Sequence, residues 1–349
     1  MDYYRPFIFA IFFCFIAISL LYPFAYKVNL VDSPDHRKIH IGDVPLVGGI
    51  AMFAVFAAAL LIFSSSLYQV SGFLISTAII IAVGVLDDAR NISVRFRFLA
   101  QIIAVLVMTS YSGVVLSDLG GLMGTDTLLL GVWAIPVTVI AAVGTMNAMN
   151  MIDGIDGLAS VSALVCFLAV LFLQSLSGGV QLIPLLFVAV LVPFISFNMR
   201  SVNKVFMGDS GSMFLGLGVA WVLIDSCQGE YAVMNTVTAL WLFSVPVIDT
   251  VAIMIRRMMK GQSPFMPDRE HLHHVFLRAG FSDRSTLYIM SLLSVSFAII
   301  GIMGEFYRVP EWIMFSGFML TFFVYLWGIK HAWVVLRFLR QKLSLKLPV

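Results

Sequence analysis

A chain of 349 residues with 60% hydrophobic and 11% charged side chains and a mean hydropathy of +1.00 lies far outside soluble domains, whose charged share is roughly 25%. Three cysteines, Cys14, Cys166 and Cys227, show no CxxC spacing and indicate neither a disulfide framework nor a zinc site. The formal net charge of +2 says little as a sum, and it points to no nucleic-acid partner; its distribution is what counts.

A spanning helix takes about 20 mostly apolar residues. Eleven intervals meet that demand: 7–26, 46–63, 72–86, 98–113, 128–146, 158–176, 181–198, 212–226, 234–255, 286–304 and 311–331. The expected fold class is therefore an all-α polytopic integral membrane protein forming a single transmembrane domain over 1–349. The first interval is too long for a signal-peptide core of roughly 7 to 15 residues and lacks a small-residue cleavage site, so it is expected to remain as a helix. In 234–255, Pro246 is expected to kink the helix, and Asp249 follows it toward the inner end, either catalytic or only paired.

With the N-terminus outside, 19 of the 21 Lys and Arg fall on one face. They occupy the connecting segments 27–45 (Lys27, Arg37, Lys38), 87–97 (Arg90, Arg95, Arg97), 199–211 (Arg200, Lys204) and 256–285 (Arg256, Arg257, Lys260, Arg269, Arg278, Arg284). The tail carries the rest, with Lys330, Arg337, Arg340, Lys342 and Lys346. The positive-inside rule makes this face cytoplasmic, with a periplasmic N-terminus and a cytoplasmic C-terminus. The basic tail, 332–349, reads as a juxtamembrane anchor on anionic membrane lipid. All six histidines and the acids Asp87, Asp88, Asp153, Asp156, Asp209, Asp268 and Glu270 map to the same side, a placement that suits a reaction site facing the cytoplasm.

Segment 147–157, NAMNMIDGIDG, sets two Asn, two Asp and two Gly at three-residue intervals where an apolar span ends. Buried carboxylates and amides need a cation or hydrogen-bond partners, although Asp153-Gly154 and Asp156-Gly157 also read as two ordinary turns. Asp87 and Asp88 close the third interval, where two carboxylates oppose the helix macrodipole and repel each other. A nearby cation would relieve both problems, and adjacent positions about 100° apart allow the pair to divide two tasks. The alternative is a solvated helix end paired with Arg90.

Asp209 precedes the eighth interval and reads either as its N-cap or as a metal ligand. Gly208, Ser212, Gly216 and Ala220 recur every fourth residue and make a small face for close helix packing. Phe206 is either core or a platform for a base, and Lys204 either a topology charge or a ligand group. His271, His273 and His274 lie within four residues, but no HExxH accompanies them and the remaining candidate donors are oxygens, which suit Mg²⁺ or Mn²⁺. With Arg269 and Arg278 they are better suited to phosphate oxygens than to zinc. The basic residues of 27–45 either steer an anionic substrate or only enforce topology.

DDAR at 87–90, NAMNMIDGIDG at 147–157, KVFMGDSGS at 204–212 and PDREHLHH at 267–274 resemble, in this order, the signature segments of the polyprenyl-phosphate N-acetylhexosamine-1-phosphate transferases. RKIHIGDVPLVGG, VTALW, RAGF and VPEW are most similar to the bacterial members that take undecaprenyl phosphate and UDP-N-acetylglucosamine (UDP-GlcNAc). Arg90 stands near where the muramoyl branch carries a lysine. The resemblance implies transfer of N-acetylglucosamine 1-phosphate from UDP-GlcNAc to undecaprenyl phosphate at the bacterial inner membrane, with Mg²⁺ or Mn²⁺, in a chain that a homodimer would also accommodate. It places the metal on Asp209 and Asn150, supported by Asp153. Asp87 and Asp88 would lie beside the lipid phosphate, with Asp87 orienting it or removing a residual proton. Asp156, Phe206 and Lys204 would take the nucleotide, and His271, His273 and His274 with Arg269 the sugar-phosphate side. Two other readings stay open: the same reaction on another UDP-N-acetylhexosamine, and an ion-coupled transporter, which would hold its polar residues near the midplane and on related repeats.

Overall fold

The computed structural model describes residues 3–33, 42–124, 126–179, 181–229, 232–263 and 271–331. Arg37, Lys38, His36, His40, Asp268, Arg269, Glu270 and the tail 332–349 lie outside the described residues. In chain order the elements are α1 (Tyr4–Lys27), β1 (Val31–Asp32), β2 (Val44–Pro45), α2 (Gly48–Phe63), α3 (Leu67–Arg90), α4 (Val94–Ser112) and α5 (Ala134–Ile152). There follow α6 (Leu158–Leu176), α7 (Leu182–Asn198), α8 (Gly208–Cys227), α9 (Thr236–Leu242), α10 (Ser244–Met259), α11 (Leu272–Arg278), α12 (Asp283–Phe306) and α13 (Glu311–Lys330).

Each of the eleven apolar intervals is helical. Eight helices, α1, α3, α4, α5, α6, α8, α12 and α13, are long and apolar enough to cross a membrane, and α9 with α10 would make a ninth as a broken span. The apolar helices α2 and α7 are shorter, at 16 and 17 residues. The chain is a helical multi-pass membrane protein whose only sheet among the described residues is the β1–β2 hairpin.

Two helices differ from the sequence expectation for physical reasons. The interval 234–255 does not kink at Pro246; it breaks into α9 and α10 at Phe243, with 86° between the two axes. A proline ring opposes the carbonyl four residues back, here that of Leu242, so α9 ends at that residue and Pro246 falls in the first turn of α10, where a missing N–H is tolerated. The interval 128–146 starts later, after a 3-10 turn at Gly131–Trp133, and its helix continues to Ile152. Asn147 and Asn150 are thus neighbours one turn apart on α5 rather than loop residues.

Helix α8 is the axis of the bundle, buried along nearly its whole length. It can be surrounded so closely because small residues face every neighbour. A Cβ on Gly84 of α3 would overlap the Cα of Ser210, one on Gly49 of α2 would overlap Gly211, and one on Gly216 would meet the Cα of Met146 on α5. The small face read from Gly208, Ser212 and Gly216 is therefore one of several. Beside the start of α8, residues 205–207 run along the hairpin: Phe206 N–H donates to the Pro45 carbonyl at 2.9 Å, and Gly48 and Gly49 donate to Phe206 and Met207 at 3.0 and 3.1 Å. Phe56, Phe73, Phe167, Phe187 and Phe214 fill the interior, with Phe167 and Phe187 stacked at 4.6 Å. At the far end Gln228 takes N–H groups of Ser117 and Asp118, and Glu305 takes Asn235 and Thr238, so this amide and this acid are structural clamps.

Replacing Gly84 by Ala should push α8 away from α3 and cost about 1–3 kcal/mol, the usual penalty for an overpacked interior. A lower melting temperature of the purified protein in detergent is the expected readout.

Candidate active site

The first turn of α8 is where the segments meet. Its leading N–H groups have no partner in their own helix, and Met207 offers no side-chain cap. The cap comes from α3: Asp88 Oδ1 accepts from Asp209 N–H at 2.7 Å and Oδ2 from Ser210 N–H at 3.2 Å. Asp209 is thus released from capping, and its carboxylate accepts from Asn150 Nδ2, which also reaches Ser212 Oγ at 3.0 Å. The side-chain carbonyl oxygen of Asn150 takes part in neither bond.

Asp87 is turned the other way and buried. Its Oδ1 accepts from Ile92 N–H at 3.0 Å and its Oδ2 from Arg97 Nη1 at 2.7 Å, while the same Arg97 nitrogen lies 3.5 Å from Asp209. Asn91, at φ 48° after the last helical residue, reverses the chain so that α4 brings Arg97 back over the end of α3. The adjacent carboxylates point apart, Asp88 capping α8 and Asp87 pairing with Arg97, while Arg90 is exposed. Nothing in the sequence distinguished Arg97 from the other charges of its loop.

The DGIDG turn lies between α5 and α6. Gly157, at φ 80°, donates its N–H to Asn198 Oδ1 at 2.7 Å, and Asn198 Nδ2 donates to the Val205 carbonyl at 3.0 Å. Asn198, which sequence reasoning passed over, therefore ties this turn to the segment leading into α8. Asp156 pairs with Lys204 Nζ, which in turn sits 4.8 Å from the centre of the Phe206 ring. Burial, then the charges of Asp209, Asp156 and Asp88, hold the Asp153 carboxyl well above the usual carboxylate range.

The histidines close the site from the other side. His273 on α11 is buried, its Nε2 faces Gly154, and neither ring nitrogen has a hydrogen-bond partner among the described residues. Burial, followed by the neighbouring His274, pushes its pKa down to about 3, so it is a neutral imidazole at neutral pH. The His271 and His273 rings are parallel to within 9° at 5.9 Å, and His274 packs 4.1 Å from His273. Asp87, Asp88, Asn150, Asp153, Asp156, Lys204, Phe206, Asp209 and His273 are thereby brought to one end of the bundle; Arg269 lies outside the described residues. Among the described residues no three His, Cys, Asp or Glu side chains form a metal-binding group. The donors that do converge, Asp209 with Asn150 and Asp153 nearby, are oxygens with excess negative charge. That set suits Mg²⁺, which usually takes one or two protein carboxylates and completes its shell from phosphates and water.

Carboxylates, an arginine and three histidines gathered at the start of an apolar helix fit a transferase of the phosphoglycosyl class, and comparison with known proteins agrees. Residues 70–227 match glycosyl transferase family 4. The chain is 39% identical over 341 residues to the undecaprenyl-phosphate alpha-N-acetylglucosaminyl 1-phosphate transferase of Yersinia pestis, covering 96% of this chain and 92% of that protein. The proteins of the same name from Haemophilus influenzae and Escherichia coli are 39% and 38% identical over 333 and 346 residues, covering 94% and 97% of this chain and 94% and 93% of theirs. The chain belongs to glycosyl transferase family 4 and is an enzyme.

A carboxyl held above its unfolded value contributes fully to stability below the unfolded value, near 3.9, and loses that contribution as pH rises through the raised one. Asp153→Asn should therefore melt roughly 2–4 °C above the wild type at pH 8 without divalent cation, taking ~1 kcal/mol as the relief of buried charge. The gap should shrink toward pH 4, and Mg²⁺ should narrow it at pH 8 by stabilising the wild type more than the variant. Melting curves of the two proteins at both pH values check this.

Proposed function

We propose that the enzyme transfers N-acetylglucosamine 1-phosphate from UDP-GlcNAc to undecaprenyl phosphate. The products are undecaprenyl-diphospho-N-acetylglucosamine and UMP, the first membrane step of O-antigen or enterobacterial-common-antigen type polysaccharide synthesis. The observation that carries this reading is the joining of Asp88, Asn150 and Asp209, from three distant segments, on the first turn of α8. The names of the relatives supply the substrates. The basic segments on one face support a bacterial inner-membrane protein whose site opens to the cytoplasm, where nucleotide sugars are held.

In this reaction a lipid-phosphate oxygen forms a bond to the β-phosphorus, the bond from that phosphorus to the bridging oxygen breaks, and the electrons leave with UMP. Three anionic groups have to be aligned while charge is neutralised. Arg97, aimed by Asp87, meets the lipid phosphate. Lys204, Asp156 and Phe206 receive the nucleoside end, with the uracil against the aromatic ring. His273, neutral and carrying one N–H, donates to the sugar-diphosphate side with His271, His274 and Arg269. Asp209 and Asn150, supported by Asp153, would hold Mg²⁺ or Mn²⁺, which supplies positive charge to the diphosphate.

Direct attack by the lipid phosphate is favoured over a covalent aspartyl-phosphate. What supports this is that each oxygen of Asp87 and of Asp88 already accepts a hydrogen bond, which fixes Asp88 as the cap of α8 and Asp87 as the partner that aims Arg97. Asp153 has no side-chain hydrogen bond among the described residues, which leaves its carboxyl to support the metal that Asp209 and Asn150 would hold.

Purified protein given undecaprenyl phosphate and radiolabelled UDP-GlcNAc with Mg²⁺ should yield labelled lipid; the galactosamine and fucosamine donors should serve poorly, and omission of metal should stop the reaction. Asp209→Ala should lose a factor of about 10² or more in turnover at unchanged expression. Substantial activity in that variant removes Asp209 from the site, and a phosphorylated Asp trapped without lipid defeats direct attack.

A further inference from the structure

Asp249 on α10 is fully buried, and the family comparison leaves it without a role. Three donors from different parts of the chain converge on its carboxylate. Tyr325 Oη from α13 and Leu272 N–H, at the first residue of α11, donate to Oδ1, the latter at 3.1 Å. His271 Nδ1 lies 2.8 Å from Oδ2, within a fully buried pair. A carboxylate accepts only, so the His271 nitrogen facing it carries the proton and Nε2 is left for the site. The His271 ring is stacked parallel on that of His273, the imidazole whose Nε2 faces the turn at Gly154 and whose ring nitrogens have no hydrogen-bond partner among the described residues.

We infer that Asp249 is a positioning residue: it fixes His271 in its Nδ1–H tautomer, docks α11 and, through the His271–His273 stack, aims His273 at the DGIDG turn, with Tyr325 holding the carboxylate in place. This rests on the reading of the histidines as the sugar-diphosphate side of the site. The break at Phe243 is what makes it achievable, because the 86° turn carries α10 across the bundle between α5, α12 and α13.

Asp249→Asn is a sharp test because the protein dictates how the amide must sit. Leu272 N–H and Tyr325 Oη both donate to Oδ1, so the amide oxygen has to occupy that place and the NH₂ falls opposite His271. The imidazole must then accept at Nδ1 and carry its proton on Nε2. The ¹⁵N signals of His271, assigned by comparison with His271→Gln, should switch from the Nδ1–H to the Nε2–H pattern. In the transfer assay kcat should drop about 10- to 100-fold, the usual cost of removing an orienting partner, with the KM for UDP-GlcNAc little changed. Tyr325→Phe keeps the tautomer and should lower kcat by less than about 10-fold on the same scale. A lower melting temperature with unchanged kcat per folded molecule, or an unchanged ¹⁵N pattern in Asp249→Asn, overturns the inference. If the wild type makes no lipid product from any UDP-N-acetylhexosamine, the functional reading fails, whereas the tautomer experiment still decides the role of Asp249.

Discussion

A carboxylate on one helix closes the N-terminus of another, and the active end of the bundle is built around that contact. The opening N–H groups of α8 have no acceptor in their own helix and Met207 supplies none, and a buried unpaired N–H costs about 1–3 kcal/mol. Asp88 supplies both bonds and places its negative charge at the positive end of the helix dipole. For it to reach, α3 has to touch α8 one turn earlier, and Gly84, four residues before Asp88, is what permits contact with the Cα of Ser210. Gly49 does the same for α2. The glycines and the aspartate are one device seen at two depths, and its result is that Asp209 keeps its own carboxylate for the site.

Apolar runs made the helices legible. The interval 158–176 coincides with α6, and the expected inner ends of several spans do meet at one end of the bundle. The four motif segments could be recognised by resemblance because their residues are contiguous. What stayed hidden were the partners joining them. Arg97 sits ten positions beyond Asp87 and reads in sequence as one topology charge among many; only the left-handed Asn91 and the course of α4 bring it back. Asn198 closes an apolar span and looks like a boundary residue, yet it bonds segments on either side of α6 and α7. The break at Phe243 was misplaced because the proline was read as the bend, whereas its ring acts on the carbonyl one turn upstream.

The interior also separates an enzyme from a transporter. A transport path needs polar groups or half-helix ends near the midplane, but the middle of this bundle is filled by Phe56, Phe73, Phe167, Phe187 and Phe214 in mutual contact. Among the described residues the broken pair α9 and α10 is the one discontinuity of the kind transporters use, and its buried acid is engaged by Tyr325, Leu272 and His271 rather than facing a passage. Reactive groups at one end and a dry aromatic middle suit chemistry at a membrane surface, where the acceptor phosphate lies at headgroup depth and its chain in lipid.

On the two sides of the DGIDG turn the free protein keeps complementary deficits. Asp153 has more negative charge around it than its surroundings neutralise, and His273 has two buried nitrogens without partners. Neither deficit relieves the other, since a neutral imidazole brings no positive charge to a carboxylate. A cation alone would satisfy Asp153 and leave His273 bare; an anion alone would satisfy the one N–H of the neutral His273 and worsen the repulsion at Asp153. The metal-bound diphosphate of the proposed reaction would present a cation to Asp153 and an oxygen to the His273 N–H together, so the polar groups that cost the empty fold most are the ones that would recognise the proposed substrate.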